Sequence, residues 1–181
     1  MRLTQIARQS ARPFAALLGC FLFPATSSAG DRHDCQLRGR YTYNLAGTGY
    51  SAADPVPFDE IGTFSVAADG GLRGESTGAI AFPNFRGQGA VWMLVRHQFA
   101  NGLVTPSQVQ PCSGTVDVLV TTTVLKSSNP AVVSAETVLV QNAAHSIAYT
   151  VAAGDGSVRL LLTSPGDIGN GLATPSAPRR R

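Results

Sequence analysis

The chain alternates short β-type segments with Gly- and Pro-containing turns, and no stretch of it repeats with the period of a long amphipathic helix. Its 181 residues include 19 Gly and 11 Pro. Between these lie runs of Val, Thr, Ile, Tyr and Phe in which apolar and polar residues alternate, a pattern typical of β-strands. The sequence therefore predicts an all-β protein.

The same pattern predicts eight strands. Their predicted ranges are 39–46, 58–67, 72–82, 88–100, 113–125, 136–142, 145–153 and 157–163. Asp69-Gly70-Gly71 supplies the residues of a tight hairpin turn. Eight antiparallel strands in a domain spanning 30–164 favour a single closed barrel, because closure removes exposed strand edges. A two-sheet β-sandwich is the alternative. The Gly-, Pro- and Ser-rich residues 165–181 are predicted to form a disordered C-terminal tail.

Residues 1–29 have the three parts of a secretory signal peptide. Basic residues open the segment, an apolar run spans 14–23, and small residues at 25–29 precede the predicted cleavage site. The apolar run is shorter than the roughly 20 residues that a membrane-spanning helix needs. We expect an exported protein, periplasmic or secreted, with no transmembrane span after cleavage.

A second interpretation of this leader concerns Cys20. Leu17-Leu18-Gly19-Cys20 resembles the site at which bacterial lipoproteins are cleaved and acylated. The alternative location is therefore the outer membrane, through a lipid on Cys20.

Charge and cysteine content further limit the function classes and the structure that the sequence allows. Of the 14 basic residues, three lie in the leader and three at 179–181, so the domain between them carries a small excess of acidic residues. Nucleic-acid binding requires a basic face, and none is predicted. Cys35 and Cys112 remain after cleavage, and an exported chain with two cysteines most often pairs them.

Short motifs resemble those of known barrels. Leu37-Arg38-Gly39-Arg40-Tyr41 resembles the opening strand of lipocalin-like and other calycin barrels, although Tyr41 stands where the lipocalin motif has Trp. Cys35-x-Leu37-x-Gly39-x-Tyr41, with Gly62-x-Phe64 and Cys112-Ser113-Gly114-Thr115, is similar to the allene oxide cyclase and dirigent type of barrel. The resemblance implies a small exported bacterial β-barrel. It implies no particular function, because such barrels serve transport, inhibition and catalysis.

The sequence predicts no catalytic residue, metal site or cofactor. Gly74-Glu75-Ser76-Thr77-Gly78 matches G-x-S-x-G, but the strand-to-helix turn that makes such a serine nucleophilic is not predicted. His33, His97 and His145 lack the spacing of a metal site. Asp59 and Glu60 are neighbours on a strand, so they point to opposite faces and cannot form a carboxylate pair.

Our leading hypothesis is a non-enzymatic barrel that holds a small apolar or amphipathic ligand. The predicted lining consists of aromatic and apolar residues with two polar contacts: Tyr41, Tyr43, Phe64, Trp92, Leu94, Tyr149, His97 and Asp117. For Asp117, exposure on the outer face is the alternative.

Apolar residues on both faces of the fourth predicted strand, and Leu160-Leu161-Leu162 in the eighth, suggest a covered outer surface. The alternative function is therefore an interaction protein with a filled barrel, acting as a homodimer or on another envelope or host protein. A weaker alternative is a cyclase-like barrel enzyme.

Overall fold

The computed structural model describes residues 35–51 and 54–176. The predicted signal peptide at 1–29, with Cys20, lies outside them. Within the described residues one antiparallel sheet closes into a barrel. Its strands are β1 (Gly39–Ser51), β2 (Asp54–Val66), β3 (Gly71–Phe82), β4 (Val91–Pro106), β5 (Ser113–Ser127), β6 (Val138–Val151), β7 (Val158–Leu162) and β8 (Asp167–Pro175). The predicted all-β closed barrel is confirmed.

Each strand pairs with the next in the chain, and β8 pairs with β1 to close the barrel. The closing ladder is antiparallel and runs from Tyr41 opposite Pro175 to Gly49 opposite Asp167. Because the sheet is continuous, the two-sheet sandwich is excluded. The architecture agrees with a lipocalin-like barrel at this coarse level.

The alternation of side chains explains why these residues form strands. On β1, Tyr41, Tyr43 and Leu45 are buried, while Thr42 and Asn44 are exposed. The inward series continues on the neighbouring strands, so the barrel interior contains the larger of two hydrophobic clusters. Aromatic and β-branched side chains suit this half-buried, pleated environment.

Two strand predictions were wrong. The predicted sixth and seventh strands form the single strand β6, whose pairing with β5 shifts register around Asn142. At Asn142 φ is +52°, and its backbone N–H donates to Thr121 Oγ1. The predicted disordered tail contains β8 at Asp167–Pro175. Its inward positions Gly169 and Ala173 give no strong strand signal. Pairing with both β7 and β1 overrides that weak propensity.

One end of the barrel is closed by the N-terminal lead-in. Cys35 is disulfide-bonded to Cys112 in the turn before β5, with 4.5 Å between their Cα atoms, which confirms the predicted pair. Leu37 then lies buried in the main cluster, together with Tyr41 and Tyr149. This end, which we call the disulfide end, is therefore packed and covalently fixed.

The opposite end has longer connections. Between β3 and β4 the chain makes a short 3-10 turn, Phe85–Gly87. Phe85 and Val133, from the connections after β3 and β5, are buried against inward residues of β4 and β5. This second cluster comprises Phe85, Val91, Met93, Val95, Val124 and Val133. It fills the β4–β5 side of this end.

Candidate functional site: a polar cluster in the barrel cavity

The barrel contains a cavity of about 570 Å³, within the range of small-molecule sites. Its lining is mainly apolar and extends from Leu37 at the disulfide end to Phe82 and Arg86 at the other. An eight-stranded barrel is narrow enough for side chains alone to fill it. The unfilled space therefore needs a structural cause.

Small residues on β1 and β8 provide that cause. Gly47 and Gly169 face each other across the closing ladder. A Cβ at Gly47 would lie 2.7 Å from Cζ of Phe58, and one at Gly169 would lie 3.1 Å from the same atom. The Phe58 ring therefore packs across the two glycines, and β8 contributes little side-chain volume to the interior.

The cavity opens at the end opposite the disulfide. At the disulfide end the lining residues Leu37 and Val116 are 4% and 2% exposed. At the other end Arg86 is exposed and Val140 is 43% exposed, although both line the cavity. We call this end the mouth.

A polar cluster lies within this apolar cavity, centred on Glu60. The Tyr43 hydroxyl donates to Glu60 Oε1 at 3.1 Å, and the Ser76 hydroxyl donates to Oε2 at 3.1 Å. His97 Nε2 lies 3.4 Å from the same Oε2. The other ring nitrogen of His97, Nδ1, is 2.8 Å from Thr122 Oγ1. The cluster thus joins side chains from five consecutive strands, β1 to β5.

Burial shifts the pKa values of the cluster. It raises the pKa of Glu60, an effect that the hydrogen bonds from Ser76 and Tyr43 oppose and the charge of Asp59 reinforces. Burial lowers the pKa of His97 to about 4, with a further decrease from His145. Glu60 lies close enough to pair with an imidazolium, but desolvation dominates. His97 is therefore neutral at pH 7, and the ring does not neutralise the carboxylate.

One tautomer of His97 satisfies both of its contacts. A proton on Nε2 faces Glu60 Oε2, which leaves Nδ1 to accept from the Thr122 hydroxyl. With this tautomer, Tyr43, Ser76 and His97 all direct a hydrogen-bond donor at the Glu60 carboxylate. Donors that converge in this way favour the ionised carboxylate and offset part of its desolvation.

Irregular strand pairing accompanies Thr122. The β5–β6 ladder shifts register on both sides of it, between Val120 and Thr122 and between Thr122 and Thr123. Thr122 and Thr123 are both buried, in contrast to the alternation elsewhere on β5. Bulges commonly redirect a side chain beside a functional site.

A smaller polar group lies toward the mouth on β6 and β8. His145 Nδ1 is 3.6 Å from Asp167 Oδ2 and 3.3 Å from Ser164 Oγ. Burial lowers the pKa of His145, and the nearby Asp167 partly opposes that decrease. Among the described residues no three His, Cys, Asp or Glu side chains are grouped to hold a metal ion.

The structure brings together some of the predicted site residues. Tyr43, Phe64 and His97 line the cavity. Tyr41 and Tyr149 are buried in the packed core of the disulfide end, outside the cavity lining. The predicted ligand-binding role of all five residues is still a prediction.

The prediction was wrong for the placement of three residues. Trp92 and Leu94 lie on the outer face, 50% and 37% exposed, because the alternate set containing Met93 points inward. Both sets are apolar, so alternation alone could not choose between them. Asp117 is also exposed and accepts a hydrogen bond from Ser146 Oγ, as the alternative interpretation expected.

Sequence reasoning missed Glu60, Ser76, Thr122 and His145. A signal for Glu60 was present: the alternate residues of β2 are otherwise apolar or Gly, at Val56, Phe58, Gly62, Phe64 and Val66. An acidic residue within such an apolar series is rarely buried without a partner. The expected separation of Asp59 from Glu60 is confirmed, since Asp59 is exposed and Glu60 lines the cavity. Ser76 lies in mid-strand and does not form a nucleophile turn.

Comparison with family models, with curated proteins and with solved structures finds no match to this chain. Among the described residues no helix is long and apolar enough to cross a membrane. The geometry of the site itself therefore carries the functional argument.

Proposed function

We propose that this protein is an exported, non-enzymatic barrel that binds a small, mainly apolar molecule carrying one polar group. The apolar part of the ligand occupies the cavity, and its polar group contacts the cluster around Glu60. The cavity of about 570 Å³ is the observation that carries this proposal. A barrel that served only as a scaffold would gain stability from filling that space.

The polar cluster supports the same function. A few well-placed polar groups within an apolar lining are what orient a ligand in a small-molecule site. Glu60 and His97 are both largely buried, with side chains 10% and 13% exposed. Burying a carboxylate and an imidazole costs free energy even when they bond neighbouring side chains, so their presence at this depth favours a role in recognition.

Native mass spectrometry of the protein as purified tests this function directly. We expect extra mass that is lost on denaturation. In parallel, the neutral fluorescent probe N-phenyl-1-naphthylamine should bind with increased emission, because the cavity excludes water from an apolar ring. Absence of both bound mass and probe binding would contradict the proposal.

A matched pair of variants locates the bound molecule. Ala143 lines the cavity, whereas its neighbour Ala144 is exposed on the outer face of β6. Ala143→Phe should reduce probe binding by filling the cavity, and Ala144→Phe should leave it unchanged. Equal effects of the two substitutions would place the probe outside the barrel.

Self-association is a second candidate function, favoured by the exposed Trp92 and Leu94 on β4. Their neighbours on β3 are the small residues Ala81 and Ala79, and on β5 the ammonium group of Lys126 lies 6.0 Å from the centre of the Trp92 ring. Exposed apolar patches of this kind commonly mark protein interfaces. Sedimentation of the wild type and of Trp92→Ser tests this: a dimer that dissociates in the variant supports the role, and a wild-type monomer contradicts it.

A further inference from the structure

The charges that face the cavity are unevenly distributed. Glu60 lies in the middle of β2, with its carboxylate in the cavity. Asp167 adds a second carboxylate near the mouth. Among the described residues of the lining, Arg86 is the one permanent cation, and it is exposed at the mouth. The deep part of the cavity is therefore acidic and contains no balancing cation.

The Glu60 carboxylate can accept one more hydrogen bond than its neighbours supply. Oε1 accepts from Tyr43, while Oε2 accepts from Ser76 and is approached by His97. A carboxylate offers about four acceptor sites, so Oε1 can still accept a hydrogen. The three groups that converge on Glu60 favour its ionised form. A ligand group that reaches this carboxylate must therefore supply a donor.

Physical chemistry then separates the classes of polar group. A second carboxylate at this depth would meet a like charge in a region of low dielectric, which is strongly unfavourable. A hydroxyl would donate one hydrogen bond. An ammonium group would donate and also balance the buried charge. Desolvation opposes this as it does for His97, but the ordinary pKa of an alkylammonium is about four units above that of imidazole, so the ammonium stays charged where the ring does not. Hydrogen bonds between charged partners are also about twice as strong as neutral ones.

We propose that the cavity selects apolar molecules whose polar group is a hydrogen-bond donor, above all alkylamines, and that Glu60 receives this group. The inference rests on the proposed ligand-binding function and assigns its ligand class. It excludes the binding of fatty acids with their carboxylate deep in the cavity.

Competition within one chain-length series tests the inference. Decylamine, 1-decanol and decanoate are titrated against bound N-phenyl-1-naphthylamine at pH 7, below their aggregation concentrations. We expect decylamine to displace the probe at a concentration about tenfold or more below that of decanoate, with 1-decanol between them. If decanoate competes as well as decylamine, the inference is overturned. This also holds if Arg86→Ala abolishes the competition by decanoate, because the cavity would then accept a carboxylate through Arg86.

Two neighbouring substitutions localise the effect. Glu60→Gln and Asp59→Asn each remove one negative charge from β2, but Glu60 alone lines the cavity. Glu60→Gln should reduce the preference for decylamine over 1-decanol to near unity, and Asp59→Asn should retain it. An unchanged preference in Glu60→Gln would overturn the role of Glu60. If that variant does not fold, the wild-type ratio of decylamine to decanoate still decides the ligand class.

The same experiment separates this inference from the proposed function. Failure of the wild type to bind the probe would overturn ligand binding, and the inference with it. Probe binding together with competition that is independent of headgroup charge would overturn the ligand class alone.

Discussion

The two ends of the barrel are built differently. At the disulfide end, Leu37 and Tyr41 are buried and the Cys35–Cys112 bond ties the lead-in to the turn before β5. At the mouth, Arg86 and Val140 line the cavity yet are exposed, and Phe85 and Val133 cover its β4–β5 side. The difference indicates that a covalent bond stabilises one end, whereas the other end gives access to the cavity. The polar cluster lies between them.

Removing the disulfide should have the largest effect on stability and tests the difference between the two ends. The disulfide joins two cysteines that are 77 residues apart, and it therefore restricts the unfolded chain. On the chain-entropy model, the double variant Cys35→Ala/Cys112→Ala should have a free energy of unfolding lower by about 4–5 kcal/mol. Denaturant titration of both proteins measures the loss. Where the variant is folded, its preference for decylamine should equal that of the wild type. A change in that preference would contradict the separation of stability from selectivity.

Truncating one side chain at each end sharpens the comparison. Leu37→Ala should cost about 2–5 kcal/mol, because it leaves a void in the packed disulfide end. Val140→Ala should change the free energy of unfolding by no more than about 0.5 kcal/mol, because its side chain is already open to solvent at the mouth. Chemical denaturation of the two variants provides the measurement. Equal losses would mean that the mouth is packed as firmly as the disulfide end.

The polar cluster between the ends should make stability depend on pH. The pKa of His97 falls to about 4 in the folded state from an ordinary value of 6.5. As the pH falls from 6.5 to 4, the unfolded chain takes up a proton that the buried ring refuses, so stability decreases. The full effect is about 3 kcal/mol. Glu60 acts in the opposite direction, because its raised pKa favours protonation in the folded state.

A comparison of variants isolates the contribution of His97. The groups that face it are Glu60, Thr122 and His145, with Tyr43 and Asp167 beyond them. His97→Gln should lose much of the decrease in stability between pH 6.5 and 4, as measured by denaturant titration at several pH values. His145→Gln should lose less of it, because the nearby Asp167 opposes the decrease in the pKa of His145. The same pH slope in His97→Gln and in the wild type would show that the ring is not held neutral.

The sequence predicts which face of a strand is buried only where the other face is polar. Alternation on β1 correctly placed Tyr41 and Tyr43 inside, because a half-buried strand has polar residues on its other face. On β4 both faces are apolar, so only the three-dimensional register could place Met93 inside and Trp92 outside.

The closing strand and the polar cluster are non-local. β8 forms because β1 and β7 both pair with it, although its own residues, including Gly169, favour a strand only weakly. Glu60, Ser76 and His97 come from three strands, and no spacing in the sequence reveals that they meet. The sequence does show that Glu60 is a charged residue within the apolar alternate positions of β2. That pattern predicts a buried acid, but it does not predict which residues bind it.

A further small effect concerns the backbone at the mouth. Arg86 has φ of +52°, a left-handed conformation that costs a non-Gly residue about 1–2 kcal/mol, and its guanidinium lies 5.0 Å from the centre of the Phe85 ring. Arg86→Gly and Arg86→Ala both remove that cation–π contact, so their difference reports the backbone alone. Glycine relieves the conformation but gains entropy in the unfolded chain, which leaves Arg86→Gly more stable than Arg86→Ala by up to about 1 kcal/mol. Paired thermal and denaturant unfolding resolves a difference of this size. Equal stabilities would indicate that the turn at Phe85–Gly87 relaxes when Arg86 is replaced, and that the mouth is shaped by side-chain packing on Phe85 more than by its backbone.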